Sequence, residues 1–162
     1  MAISIGAPAP DFTLISKTAE GVKSVSLADQ RGSNVVLLFF PLAFTGVCTD
    51  EMCSVSQGID TYNNLNAKVF GISVDSPFSQ EAWAKAQGIT IPLLSDFNQK
   101  AAADYGVRYD NFVPGTLNMQ GVTKRSAFVI DAEGIVRYAE VNDDAGQLPN
   151  FEAVQDVLKS LA

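Results

Sequence analysis

Val35-Val36-Leu37-Leu38-Phe39-Phe40 is the stretch that most limits how this chain can fold. Six apolar residues in an unbroken row cannot turn alternate side chains to water, so a strand built from them needs cover on both faces. That requirement points to a layered α/β architecture, with helices on either side of a sheet. Pro41, which has no backbone N–H, ends the run. Lys68-Val69-Phe70-Gly71-Ile72-Ser73-Val74 is a second strand of the same buried type. A helix expected from about Val47 to Leu65 joins the two as a βαβ crossover.

The other elements follow from local signals. Pro8 to Leu14 reads as an extended entry and a short strand, and Ser24-Val25-Ser26-Leu27 alternates as a second strand. Arg31-Gly32-Ser33-Asn34 is a turn. Ser76 caps a helix with Pro77 at its first position, which runs to about Gln87 and stops at Gly88. Trp83 and Phe78 are expected to pack that helix on the sheet. Leu93-Leu94 is a short apolar segment, Ala101 to Tyr105 a short helix stopped by Gly106, and residues 108–124 a loop. Ser126 to Ile130 and Ile135 to Ala139 flank Asp131-Ala132-Glu133-Gly134 as a hairpin. Phe151, Val154, Val157, Leu158 and Leu161 share one stripe of a closing amphipathic helix. A crossover followed by a hairpin predicts a central mixed β-sheet flanked by helices, in a single domain over residues 1–162.

Eleven basic residues against 18 acidic ones give a formal net charge of -7. No basic patch stands out, so neither nucleic acid nor an anionic membrane surface is an expected partner. The opening Met1-Ala2-Ile3-Ser4-Ile5-Gly6-Ala7-Pro8 shows no targeting pattern, and no run approaches the length needed to cross a bilayer. A cytoplasmic location is the expectation, where two cysteines point to chemistry or core packing rather than to a structural bridge. There is no histidine. That removes catalytic units built on imidazole and leaves few ligands for a transition metal.

Cys48 stands out against this background. It closes Pro41-Leu42-Ala43-Phe44-Thr45-Gly46-Val47-Cys48, where the buried strand gives way to the expected helix. A first-turn cysteine meets free backbone N–H groups and the partial positive charge of the helix N-terminus, both of which favour the nucleophilic thiolate. Thr45 brings a hydroxyl three residues before it, and Pro41 has no N–H and shields the sulfur from water.

The spacing Pro-x-x-x-Thr-x-x-Cys, here Pro41, Thr45 and Cys48, resembles the signature of the peroxiredoxins. Ala7 to Leu14 is similar to their usual opening, and Phe39 to Thr45 to the one-cysteine alkyl hydroperoxide reductase E branch. Pro92 to Asp96 and Tyr105-Gly106-Val107 match recurring segments. Arg125-Ser126-Ala127-Phe128-Val129-Ile130-Asp131 resembles the strand that carries the family's catalytic arginine. The resemblance covers most of the chain. It implies a thioredoxin-like fold with an N-terminal extension, no metal, flavin or haem cofactor, and reduction of hydrogen peroxide or organic hydroperoxides. It assigns catalytic roles to Cys48, Thr45, Pro41 and Arg125: an ionised sulfur attacks a peroxide held in line, and positive charge and donors receive the departing oxygen. The resulting sulfenic acid is reduced by a second thiol, with thioredoxin, glutaredoxin or a low-molecular-weight thiol as reductant. A homodimer is the expected assembly. Glu51 matches a frequent acidic position three residues after the reactive cysteine. It either orients Arg125 or relays a proton, or is a first-turn acid favoured by the helix dipole.

Cys53 lies five positions after Cys48. Five helical steps turn about 500°, so the two side chains point roughly 140° apart and an intact helix forbids a disulfide between them. This C-x4-C spacing nevertheless resembles the bacterioferritin comigratory protein (Q-type) branch, where the second cysteine resolves the sulfenic acid after the helix start unwinds. Cys53 is thus either a resolving thiol or an inert thiol on an apolar helix face.

Phe44 lines an apolar wall or a subunit contact in this reading. Tyr105, Tyr109 and Phe112 shape a substrate entrance or pack in core and loop, and Asp143 and Asp144 are solvated charges. The absence of C-x-x-C counts against a thioredoxin-type disulfide reductase. A redox sensor that passes oxidation to a partner is the alternative function. It shares the sulfenic acid and differs in that species' fate.

Overall fold

The structure is a computed structural model that describes residues 3–162; Met1 and Ala2, at the start of the opening segment, lie outside the described residues. The apolar run becomes β3 (Asn34–Phe39), buried at every position. It belongs to a seven-stranded sheet in the order β2-β1-β5-β4-β3-β6-β7. The partners are β1 (Thr13–Thr18), β2 (Gly21–Ser26), β4 (Ala67–Ser73), β5 (Leu93–Ser95), β6 (Arg125–Ile130) and β7 (Val136–Asn142). β3 runs parallel to β4 and antiparallel to β6, so the sheet is mixed as the element order predicts.

Alternation along β3 explains why the whole run is apolar. Val36 and Leu38, with Phe40 just beyond the strand, face one core. There they meet Cys48, Met52 and Val55 of α1 (Gly46–Gln57), Tyr62 of α2 (Ile59–Asn63), Trp83 of α3 (Pro77–Gln87), and Val154 and Leu158 of α5 (Phe151–Ser160). Val35, Leu37 and Phe39 face the opposite core. It holds Phe12 of the entry segment, Ala101 and Ala102 of α4 (Lys100–Asp104), and Tyr105. Among the described residues no helix is long and apolar enough to cross a membrane.

Several local expectations hold in detail. Ser76 Oγ accepts the Ser79 N–H at 3.1 Å, Pro77 opens α3, and Gly88 closes it at φ 72°, a left-handed cap that glycine reaches without strain. The 131–134 turn has Gly134 at φ 90°. Residues 108–124 form a loop as expected, folded back on itself through isolated bridges between Arg108 and Thr123 and between Phe112 and Met119. Two readings need correction. The helix expected over 47–65 breaks at Gly58, whose φ of -95° and ψ of 14° depart from helical values, giving α1 and α2. Phe78 does not pack on the sheet: it is 64% exposed, whereas Trp83 is fully buried. These two residues are also five positions apart on one helix, about 140° around its axis, so only one can face the sheet.

Candidate active site

The β3–α1 connection places the sulfur. Phe44 adopts φ 63°, a left-handed conformation unusual for an aromatic residue, and the residue is 61% exposed. Ala43 donates its N–H to Asp75 Oδ2 at 2.8 Å, and Ser73 Oγ donates to the same oxygen at 2.7 Å. The loop is thereby tied to the end of the neighbouring strand β4. Thr45 leaves the loop in an extended conformation (φ -105°, ψ 153°), and α1 begins at Gly46. Cys48 is the third residue of that helix, in its first turn, and only 1% exposed. Pro41 is buried beside the start of the loop.

The antiparallel register of β3 and β6 brings in the arginine. Phe39 pairs with Ser126, so Arg125, the first residue of β6, lies beside the exit of β3 where the Cys48 loop begins. Thr123 Oγ1 donates to the Phe40 carbonyl and fastens the same corner from the other side. Arg125 is 1% exposed. Its Nη2 donates to Cys48 Sγ at 3.1 Å, and its Nε donates to the Ala145 carbonyl at 2.9 Å. The guanidinium fork is thus held by a backbone oxygen behind while one arm reaches the sulfur. The arm that reaches the sulfur is a charged donor of fixed geometry.

Glu51, one turn after Cys48, is completely buried, and its Oε2 lies 3.5 Å from Arg125 Nη1. That contact is an ion pair without hydrogen-bond geometry. Among the described residues, both Glu51 carboxylate oxygens and Arg125 Nη1 lack a hydrogen-bond partner. Burial pushes the Glu51 carboxyl up to about 7, against the lowering effect of Arg125 and with a smaller raising effect from Glu140. The folded chain therefore holds a proton on Glu51, between about 4.5 and 7, that the unfolded chain has released. The associated stability is complete below the lower value and is lost as pH rises through the upper one. Glu51→Gln should flatten this slope, seen as urea midpoints that no longer fall between pH 5 and pH 8.

The remaining expectations divide. Thr45 is exposed, and its hydroxyl donates to the Leu42 carbonyl at 2.7 Å rather than to the sulfur. Cys53 is half-buried on α1, its Sγ donates to the Gln87 carbonyl at 3.4 Å, and both thiols are free. Tyr105 is core: it is buried and its hydroxyl donates to the Pro10 carbonyl. Tyr109 donates its hydroxyl to the Asp143 carbonyl at 2.6 Å, and its ring centroid lies 5.1 Å from that of Phe112. Asp143 stays largely in water while pairing with Lys124 at 2.8 Å. A surface groove of about 760 Å³ lined by Phe12, Phe78, Phe97 and Lys100 contains neither Cys48 nor Arg125, so cavity size does not point to that pair. Sequence reasoning missed the Ala145 carbonyl, because a backbone oxygen has no signature in residue type.

Residues 5–139 match the model of the AhpC/TSA family. Peroxiredoxin-2 of Cricetulus griseus is 38% identical over 162 residues, covering 96% of this chain and 76% of that protein. The mitochondrial thioredoxin-dependent peroxide reductase of Drosophila melanogaster is 36% identical over 165 residues. The alignment covers 98% of this chain, and the chain spans 65% of that relative's length. The crystal structure of peroxidoxin BcpB from Mycobacterium tuberculosis superposes with a TM-score of 0.83 at 27% identity, over 99% of each chain. The mixed sheet with helices on both faces is therefore the thioredoxin-like fold of such proteins.

Proposed function

Since the chain belongs to the AhpC/TSA family, the peroxiredoxins, we propose that it is a thiol-dependent peroxidase in which Cys48 attacks hydrogen peroxide or an organic hydroperoxide. The observation that carries this reading is the 3.1 Å contact between Arg125 Nη2 and Cys48 Sγ at the first turn of α1. The Cys48 thiolate attacks the nearer peroxide oxygen and the O–O bond breaks. The sulfur becomes a sulfenic acid, and the other oxygen leaves with its electron pair and takes up a proton. Arg125 and the free N–H groups of the helix start meet the charge that builds on that oxygen. Thr45 gives its only hydroxyl proton to Leu42, which leaves its lone pairs to accept the O–H of the incoming hydroperoxide. Pro41, buried and without an N–H, keeps one side of the sulfur dry. Glu51 braces the arm of Arg125 that faces away from the sulfur.

In the finer reading the sequence of the loop from Pro41 to Thr45 supports kinship with the one-cysteine alkyl hydroperoxide reductase E branch. The Cys48–Cys53 spacing supports Q-type resolution, in which Cys53 condenses with the sulfenic acid and releases water. Thioredoxin, glutaredoxin or a small thiol then restores the pair. We place the enzyme in the cytoplasm as a single-domain homodimer.

Stopped-flow peroxide consumption, with mass spectrometry of the products, tests the reading. Cys53→Ser is expected to keep the first oxidation and lose the internal disulfide, so that sulfenic acid persists at Cys48. A disulfide-free product in the wild type would remove Cys53 from the cycle. Peroxide consumption no faster than that of an ordinary free thiol would remove the peroxidase assignment altogether.

A further inference from the structure

Cys48 is 1% exposed, so its sulfur cannot meet a bulky thiol where it sits. Nor can it meet Cys53, five positions along the same helix. Whichever thiol follows the peroxide, the first turn of α1 has to open. What holds that turn shut is not its own cap, since the Thr45 side chain makes no capping bond and donates to Leu42 instead. The restraint comes from α3. Trp83 Nε1 donates to Thr49 Oγ1 at 3.0 Å, and Thr49 Oγ1 donates in turn to the Thr45 carbonyl at 2.8 Å. That carbonyl already accepts the Thr49 N–H at 3.0 Å. Residues 45 and 49 bracket Cys48. Trp83 cannot follow an opening turn: it is fully buried, with its ring centroid 5.2 Å from that of Phe40.

We propose that Thr49 and Trp83 are positioning residues that latch the first turn of α1, and so set how readily Cys48 leaves the Arg125 pocket after oxidation. Among the described residues the indole N–H has no other acceptor, and when the turn opens it is left in a buried place without one. The latch therefore favours the closed turn. Its consequence rests on the peroxidase reading above. While the turn is closed, sulfenic acid can react with a second peroxide, which transfers one oxygen to give sulfinic acid and leaves as an alcohol or water. Once the turn opens, the sulfenic acid condenses with a thiol, forming a disulfide and releasing water. The latch divides Cys48 between these two fates.

Thr49→Val keeps the branched shape and removes the hydroxyl. Two readouts apply to this chain. In the reduced protein, with no peroxide present, amide hydrogen exchange at residues 49–52 should speed up roughly tenfold or more, the scale set by one buried hydrogen bond. Thr49→Ser should restore slow exchange, and Trp83→Phe should reproduce the effect of Thr49→Val. Under excess hydrogen peroxide, Thr49→Val should show a several-fold smaller ratio of sulfinic acid to disulfide, with the first oxidation as fast as in the wild type. Wild-type exchange in both Thr49→Val and Trp83→Phe would overturn the latch. So would faster exchange with no change in the product ratio, or faster exchange that serine fails to restore. A wild-type protein that does not consume peroxide sinks the peroxidase reading, and the exchange measurement still judges the latch alone.

Discussion

Cys48→Ser is expected to abolish peroxide consumption, with a loss on the order of 10⁴ to 10⁶, the scale on which removal of a catalytic nucleophile is felt. Serine occupies nearly the same volume at a site that is 1% exposed, so packing in the α1 core is kept. A hydroxyl can still accept the Arg125 Nη2–H that now reaches the sulfur at 3.1 Å. What is lost is an easily ionised, polarisable nucleophile: a serine hydroxyl stays protonated at neutral pH and no imidazole is present to take its proton. The measurement is stopped-flow peroxide decay on the variant beside its urea midpoint. A midpoint close to the wild type's, with no decay above background, is the expected pair. Fast decay in the variant would transfer the chemistry to Cys53 and undo the assignment.

Arg125→Ala carries the second large effect, and it acts on rate and stability together. The first oxidation should slow by roughly 10² to 10³, as when one oxyanion donor is removed. Stability should fall as well, because Glu51 remains fully buried with no cation beside it. Stranding one member of a buried pair costs about 3–5 kcal/mol. Arg125 lowers the Glu51 carboxyl, so its removal pushes that group further up and lets protonation relieve part of the cost in acid. The variant should therefore be most destabilised at high pH. Combining Arg125→Met with Glu51→Gln separates the two roles. The double variant should regain much of the stability, since neither side chain then carries a buried charge, and should stay slow towards peroxide. Recovery of the rate together with the stability would show that Arg125 serves only the fold. Arg125→Lys is expected to stay slow too, because a single ammonium cannot reach the Ala145 carbonyl, the sulfur and the Glu51 side at once.

Most of the framework was legible because its causes are local. The fully apolar run at 35–40 had to be a strand covered on both faces, and each of its faces packs in a different core. Ser76, Pro77 and Gly88 mark the two ends of α3 by capping chemistry that involves only near neighbours. The α5 stripe was read correctly for the same reason, with Val154 and Leu158 innermost. The errors fall where a local signal has two outcomes. Gly58 could have been carried inside one helix and instead divides two. Phe78 and Trp83 are both plausible core residues, and only the rotation of α3 against the sheet decides between them.

For the site, the residues' own types and spacing determined that a first-turn cysteine follows a Pro–Thr loop, because turn and helix-start preferences act over a few residues. The tertiary structure decided what that sulfur touches. Arg125 is 77 residues away and reaches Cys48 only through the β3–β6 register. The Ala145 carbonyl that steadies it is a backbone atom of a different loop, and Glu51 holds its proton to about 7 because layers from several elements exclude water from it. Register and desolvation are sums over long-range contacts, and no short window of the chain contains them.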